Sequence, residues 1–486
     1  MSFRQEYCTI GHSWIAIYIG TYYYEPEKLR MFLKVRTERG TAMQQQPRLF
    51  VTRQEANHHP FWHITQFFSL GCTMLLIMGI VSACGGSSTS GSSTSAGNGK
   101  ITLTEMDYWS VPAQGATLNK LFTQYEKLHP NITIQRNAVP FASLLPKVDQ
   151  EAASHTLPNI VALDNPDVAQ FAATGALTPL DSYMKGNFSD SDFYAGPLTT
   201  MKYQGKTYSF PVGNNDLALY YNKKALAAAK LQPPKTWSQL EAAAKALTHG
   251  NTYGFAFSAP ANEQATFQFE PFLWSNNGDL SKVDSSASVA ALQVLVDMIR
   301  QGSASKGALN WGQPDVATQF GEGNAALMEN GPWEIPALEQ QYHMKFGVDF
   351  DVVPMPVPLA GSQPVVPLGG EAWTIPVNSD SAVMKASWDL VNWLEQPEQL
   401  RQLDEGFGYV PAIKSTAQLV LKDNPDLQVF ADEFNTARAR TAQLGPKYPK
   451  VSEAIWTAEQ SALTGSHSSQ AALTQAQQQI TTILNS

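Results

Sequence analysis

The chain has 486 residues, with 33 Lys and Arg against 42 Asp and Glu, a formal net charge of −9 and three cysteines. The acidic balance argues against a nucleic-acid partner, which needs a basic footprint, and zinc or dithiol chemistry through paired thiols is not expected, because processing before Cys84, argued below, would leave a single cysteine. At this length one hydrophobic core is exceeded, so two lobes are expected.

Along the first 42 residues, short apolar stretches at 15–19 and 22–24 are broken by Gly20 and Pro26. Glu25, Glu27 and Glu38 stand where the leading region of an export signal is basic. Residues 1–42 therefore read as a gene-model extension, with Met43 as the start. From Met43 the order is Arg48 and Arg53, an apolar run at 67–81, then Ser82, Ala83, Cys84 and a Ser/Thr/Gly tract to Gly99. The run is short for a bilayer span, which takes roughly 20 residues, and no basic stop-transfer cluster follows it. The junction Val81-Ser82-Ala83-Cys84 resembles the lipobox of bacterial lipoprotein signal peptides. The resemblance implies a signal peptide over 43–83, cleavage before Cys84, lipidation of the Cys84 thiol, and anchoring to the outer face of the cytoplasmic membrane. Cys8 and Cys72 leave with the signal. Residues 84–100 then form a flexible tether with a reach of about 20 Å.

From Ile101 the pattern changes. Ile101 and Leu103 alternate as in a strand; Leu118, Leu121, Phe122, Tyr125 and Leu128 recur at helical spacing, and Pro130 ends that helix. Ile132 and Ile134 alternate again, a helix is predicted over 141–153, a buried strand over 160–163, and a further helix from Pro166 to Gly175. This β-α-β-α-β-α order predicts a parallel sheet covered by helices. Ligands of such sheets lie beyond the carboxyl ends of the strands, which places Asp107, Tyr108, Trp109 and Asp164 at a binding edge. Further on, Thr236-Trp237-Ser238-Gln239 has the form of a capping box opening a helix to Leu247, which gives Trp237 a structural role. Helices are predicted over 287–299, 316–321, 382–393 and 471–484, and a strand over 346–354. The G-x-G-x-x-A match at 321–326 follows a helix, not the strand that a dinucleotide site requires. No H-E-x-x-H or G-x-S-x-G occurs, and the histidines are scattered. No enzyme, metal or cofactor is expected.

Dispersed phrases then carry a resemblance over nearly the whole processed chain. They include Leu157-Pro158-Asn159-Ile160-Val161 with Asp164, Gly175-Ala176-Leu177-Thr178-Pro179-Leu180-Asp181, Gly205-Lys206-Thr207-Tyr208, Phe320-Gly321-Glu322-Gly323-Asn324-Ala325-Ala326 leading to Gly331-Pro332-Trp333, Gly369-Gly370, and Gly408-Tyr409-Val410-Pro411. In this order they resemble the family 1 extracellular solute-binding proteins, the maltose-binding-protein-like sugar receptors of bacterial ABC importers. The resemblance implies a type II periplasmic-binding-protein-like α/β fold of two lobes around a ligand cleft. It places the N-terminal lobe at 101–213 and 355–408, the C-terminal lobe at 217–351 and 412–486, and hinge crossings near 214–216, 352–354 and 408–411. It also implies a monomer that binds a carbohydrate and delivers it to permease subunits.

A pyranose offers an apolar C–H face to aromatic rings and a rim of hydroxyls to carboxylates and amides. Trp333, Trp373, Trp109 and Trp274 are the candidate stacking residues. Tyr108, Asp164, Asn214, Asn215 and Glu371 are the polar candidates, with Gln268 and Glu270 weaker. The resemblance puts Asn215 where the maltose receptor has a ligand-binding acid. Gly369 and Gly370 are expected to allow close backbone approach or a positive φ, with Gly370 at the ligand. The loops at 107–110, 164, 214–216, 331–335 and 369–373 hold no Lys or Arg. A neutral sugar is therefore favoured over glycerol-3-phosphate or a related polyol phosphate, which other receptors of this fold bind and which needs a cation or helix N-terminus. A lipoprotein glycoside hydrolase with Asp164 and Glu371 as its acids is a further alternative. Cys84→Ala should leave the chain uncleaved or released from membranes. Membrane fractionation of that variant, processed at the same site, would remove the lipoprotein assignment.

Overall fold

The computed structural model describes residues 2–10, 13–23, 29–37, 99–110, 112–378, 380–434, 436–441 and 443–486. The expected signal peptide, Cys84 and most of the tether lie outside these residues. The chain divides into two compact units, Met1–Ser92 and Ser93–Ser486. In the first, strands Ser2–Ile10, Ser13–Tyr23 and Leu29–Thr37 form an antiparallel meander in which Ile17 stands opposite both Glu6 and Val35. The middle strand alternates Ile15, Ile17 and Ile19, which suits a pleated surface.

The second unit holds two larger sheets. One has the strand order Ile132–Ala138, Ile101–Asp107, Ile160–Asp164, Glu371–Thr374, Ser209–Pro211. The first three strands are parallel, because helices Pro112–Leu128 and Phe141–Ala153 carry the chain back between them. Leu118, Leu121, Phe122 and Tyr125 are buried as their spacing predicts, while Leu128, at the helix end, is exposed. Glu371–Thr374 runs antiparallel to both of its neighbours, pairing Glu371 with Asp164 and Trp373 with Phe210. The other sheet has the order Tyr253–Ala256, Ala325–Asn330, Ala218–Asn222, Phe350–Val353.

Local rules account for most boundaries. Thr236 caps the helix Trp237–Leu247: its Oγ1 accepts from the Gln239 amide at 3.3 Å, and Gln239 Oε1 accepts from the Lys235 amide at 2.8 Å. Trp237 is buried, its ring 6.1 Å from that of Phe272. The helix expected at 316–321 begins earlier, spanning Gln313–Gly321 with Pro314 in its first turn. The strand expected over 346–354 is only Phe350–Val353. Gly347 has φ +74°, and the Asp349 amide folds back on the Lys345 carbonyl at 2.8 Å, so the chain turns there before pairing.

Between the sheets three chain segments run side by side. Asn214 bridges Val410 and Asn215 bridges Gly369. The second passage differs from the expected one at 352–354. Met355 and Val366 pack in the same core cluster as Leu219 and Leu327, and Val357 pairs with Thr236, so the chain stays with the second sheet until Leu368. The closeness of the three segments explains the glycine pair. A Cβ on Gly369 would stand 2.0 Å from Asn215 Oδ1, and one on Gly370, at φ +123°, 2.2 Å from the Gly213 carbonyl oxygen.

Asp216, Glu329, Asp404 and Glu459 are buried, and none of their carboxyl oxygens has a hydrogen-bond partner among the described residues. Burial raises all four pKa values well above the ordinary carboxyl range, and the neighbouring carboxyls Glu433 and Glu459 add to this at Asp216 and Glu329. The folded state thus keeps protons that the unfolded chain releases above about pH 4. Stability from these groups is complete in acid and is lost as pH rises through the raised folded values. The melting temperature should therefore fall from pH 5 to pH 8, and Glu329→Gln should flatten that slope. A melting temperature that rises over this range would show these groups to be ionised in the fold.

Candidate functional site

The carboxyl edge of the first sheet supplies one wall of a cleft. Asp164 ends its strand and Glu371 begins the antiparallel neighbour, and the two are directly opposite in register. Side chains so placed lie about 5 Å apart at Cβ. The loop after Ile101–Asp107 is held by a clamp. Arg136 donates to Asp107 through Nε at 2.6 Å and Nη2 at 2.7 Å, and to the Trp109 carbonyl at 2.7 Å, while Asp107 also accepts from the Trp109 amide at 2.7 Å. This turns Tyr108 toward the cleft and Trp109 into the core. The Tyr108 hydroxyl donates to Glu371 Oε1, and the Tyr409 hydroxyl reaches the same oxygen at 2.8 Å.

The second wall is aromatic and acidic. Gly331-Pro332 brings Trp333 back over its own loop, so closely that a Cβ on Gly331 would lie 1.9 Å from the indole. Phe267, on the buried helix Glu263–Ser275, stands 6.3 Å from Trp333 between ring centroids. Glu334 opens the helix Glu334–Gln341. Across the cleft, Phe141 meets Tyr108 edge-on at 4.9 Å. These groups enclose a cavity of about 300 Å³.

Arg440 joins the walls. It donates to both oxygens of Asp164, through Nη1 at 2.8 Å and through Nη2, and its Nη1 also donates to Glu263 Oε1 at 2.8 Å. Its guanidinium lies 4.8 Å from the centre of the Phe267 ring. Glu263 is further held by the hydroxyls of Tyr448, at 2.6 Å, and Ser452. Burial pushes the Glu371 carboxyl up to about 7; the Tyr108 hydroxyl opposes the rise and the charge of Asp164 adds to it. Burial likewise pushes Glu334 up to about 8, against the Trp333 indole. Among the described residues no cluster of His, Cys, Asp or Glu could hold a metal ion.

Of the residues singled out in the sequence, Tyr108, Asp164, Asn215, Trp333, Gly370 and Glu371 line this cavity. Trp109 and Trp373 do not. Both are buried, 5.4 Å apart, in the core behind the edge. Trp373 lies two residues along its strand from Glu371, about 7 Å deeper in the sheet. Trp274 is two turns beyond Phe267 on its helix, in the second lobe's core with Arg438 4.9 Å over its ring. Asn214 turns its amide to the Val410 carbonyl at 3.4 Å, within the hinge. Gln268 is tied to the Ser258 amide and the Glu329 carbonyl, and Glu270 to Tyr448. The expectation of a cleft without a cation is corrected by Arg440, which enters from outside the candidate loops. Glu263, Phe267, Glu334 and the side chain of Tyr409 were also not read as site residues. Two of these had a signal: Tyr409 stands beside Gly408 in the third crossing, and Glu334 lies in the candidate loop 331–335.

A sequence model of the family described as bacterial extracellular solute-binding protein matches residues 120–429. The maltotriose-binding protein of Pyrococcus abyssi is 25% identical over 310 residues, covering 61% of this chain and 62% of that protein. The sn-glycerol-3-phosphate-binding periplasmic protein of Pectobacterium atrosepticum is 25% identical over 383 residues, covering 72% of this chain and 82% of that one. An ABC transporter solute-binding protein from Thermotoga lettingae, solved bound with α-D-tagatose, matches with a TM-score of 0.72 at 25% identity, over 79% of this chain and 99% of that chain.

Removing the Arg440 cation leaves the buried Asp164 and the partly buried Glu263 without a counter-charge. Arg440→Ala should cost about 3–5 kcal/mol of stability, read by denaturant unfolding. Arg440→Lys, which keeps the charge and loses the planar fork, should fall between it and the parent. An unchanged midpoint for the Ala variant would show the triad to be energetically idle.

Proposed function

The chain belongs to the bacterial extracellular solute-binding proteins, and we propose that it is the lipid-anchored receptor of a carbohydrate ABC importer, holding a sugar or small oligosaccharide without a phosphate group and passing it to the permease. The family places it outside the cytoplasm. Among the described residues no helix is long and apolar enough to cross a membrane; the anchor of this reading rests on the lipobox-like junction at Cys84. The observation that carries the ligand class is the pairing of aromatic surface with carboxylates. Trp333, Phe267, Tyr108 and Phe141 supply flat apolar faces, and Glu371 and Glu334, each with an oxygen unpartnered among the described residues, supply carboxyl groups beside them. A pyranose needs both. The volume, at the low end of the roughly 300–1,000 Å³ usual for small-molecule sites, favours a compact ligand.

The glycerol-3-phosphate reading is supported by the Pectobacterium relative, but the charge of the cleft opposes it. Arg440, the cation lining the cavity among the described residues, is already engaged by Asp164 and Glu263, and Glu334 and Glu371 add two further carboxyl groups. A phosphate would meet more acid than base there. The hydrolase reading is weakened by register. Asp164 and Glu371 stand side by side on one wall, not on either side of a scissile bond, and Asp164 is held by Arg440.

A thermal-shift screen of sugars, oligosaccharides and sn-glycerol-3-phosphate tests the assignment. A sugar at a hundred times its Kd should add about 2.7 kcal/mol; a shift from sn-glycerol-3-phosphate alone would overturn the reading. Trp333→Ala should weaken sugar binding by about 2 kcal/mol, the scale of a buried aromatic anchor, with an unchanged circular dichroism spectrum. Undiminished affinity in calorimetric titration would reduce the indole to packing between the lobes.

A further inference from the structure

Two carboxyl groups of the cleft lack a counter-charge. Arg440 is divided between Asp164 and Glu263, and the hydroxyls of Tyr448 and Ser452 complete the shell of Glu263. Glu371 and Glu334 stand outside this network. Each is 4% exposed, lines the cavity, and has one buried oxygen, Oε2 of Glu371 and Oε1 of Glu334, without a hydrogen-bond partner among the described residues.

Glu371 is arranged to accept. The hydroxyls of Tyr108 and Tyr409 both donate to its Oε1, which supports the anion and leaves Oε2 free. A hydroxyl ligand could fill that acceptor, but it would leave the buried carboxyl without a counter-charge, which favours its protonated form. An ammonium group supplies the donor and the opposite charge together. The rings beside it add to the preference, since aromatic faces attract cations, as Phe267 already does with Arg440.

We propose that the cleft selects a sugar or polyol carrying a basic nitrogen, with Glu371 receiving its ammonium group and Glu334 as a second carboxyl that the bound cation draws toward its ionised form. This rests on the carbohydrate reading above and narrows it.

Calorimetry and thermal shift on the whole protein test it with matched amine and hydroxyl compounds: D-glucosamine against D-glucose, D-galactosamine against D-galactose, and N-methyl-D-glucamine against D-glucitol, beside the neutral sugar panel. At least one amine should bind tenfold or more tighter than its hydroxyl partner. Glu371→Gln, which keeps the shape and both tyrosine contacts, should bring that ratio close to one. Glu334→Gln should lower it in part and serves as the measure if the first variant does not fold. Binding of neutral sugars with no amine preferred, or a preference that survives Glu371→Gln, overturns this inference and leaves the sugar reading intact. Absence of binding by every carbohydrate tested overturns both.

Discussion

The guanidinium of Arg440 fixes the geometry of the cleft. It meets Asp164 through both terminal nitrogens and Glu263 through one of them, so a strand end of the first sheet and a helix of the second lobe share one charge. A planar fork can satisfy this demand and an ammonium cannot. Because Asp164 is held in this way, its neighbour in register, Glu371, faces the cavity with only tyrosine hydroxyls beside it. The division of labour among the acids follows: two are bound structurally, and two are left toward solvent and ligand.

A second constraint is the narrowness of the hinge. The segment at 213–215 bonds to both of the others, and the pair Gly369-Gly370 leaves room for the Asn215 side chain and the Gly213 carbonyl. The first lobe's wall is thereby tied to the crossing itself, since Gly370 immediately precedes Glu371. Movement of the lobes about this hinge would carry Glu371 and Asp164 together, because they are paired within one sheet.

Much of the architecture was legible because it follows from periodicity. Leu118, Leu121, Phe122 and Tyr125 mark a helix face at any level of tertiary detail, and the β-α-β order fixes which strand ends form an edge. Asp164 and Tyr108 could be placed by that rule alone. Depth could not be. Glu371 and Trp373 lie on the same face of one strand, yet the first lines the cavity and the second is sealed beneath it, and a two-residue period does not distinguish them. Trp274 and Phe267 repeat the case on a helix, seven residues apart. Arg440 was illegible for another reason. It sits just past a two-residue strand, Arg438–Ala439, with no periodic pattern, and its partner Asp164 is 276 positions away. The second hinge passage was displaced because the apolar residues Met355 and Val366 carry no label for the lobe they join.

The distribution of tryptophans has an optical consequence. Trp109, Trp237, Trp274 and Trp373 are sealed in the cores, whereas Trp333 is half-buried at the cavity wall beside the titrating carboxyl of Glu334. Indole emission depends on the polarity and charge around the ring. Trp333 is the tryptophan that lines the cavity among the described residues, so the component that responds to the contents of the cleft should come from it, over a background from the other tryptophans. The protein carries its own fluorophore for following occupancy in real time, without a dye and without a change to its sequence.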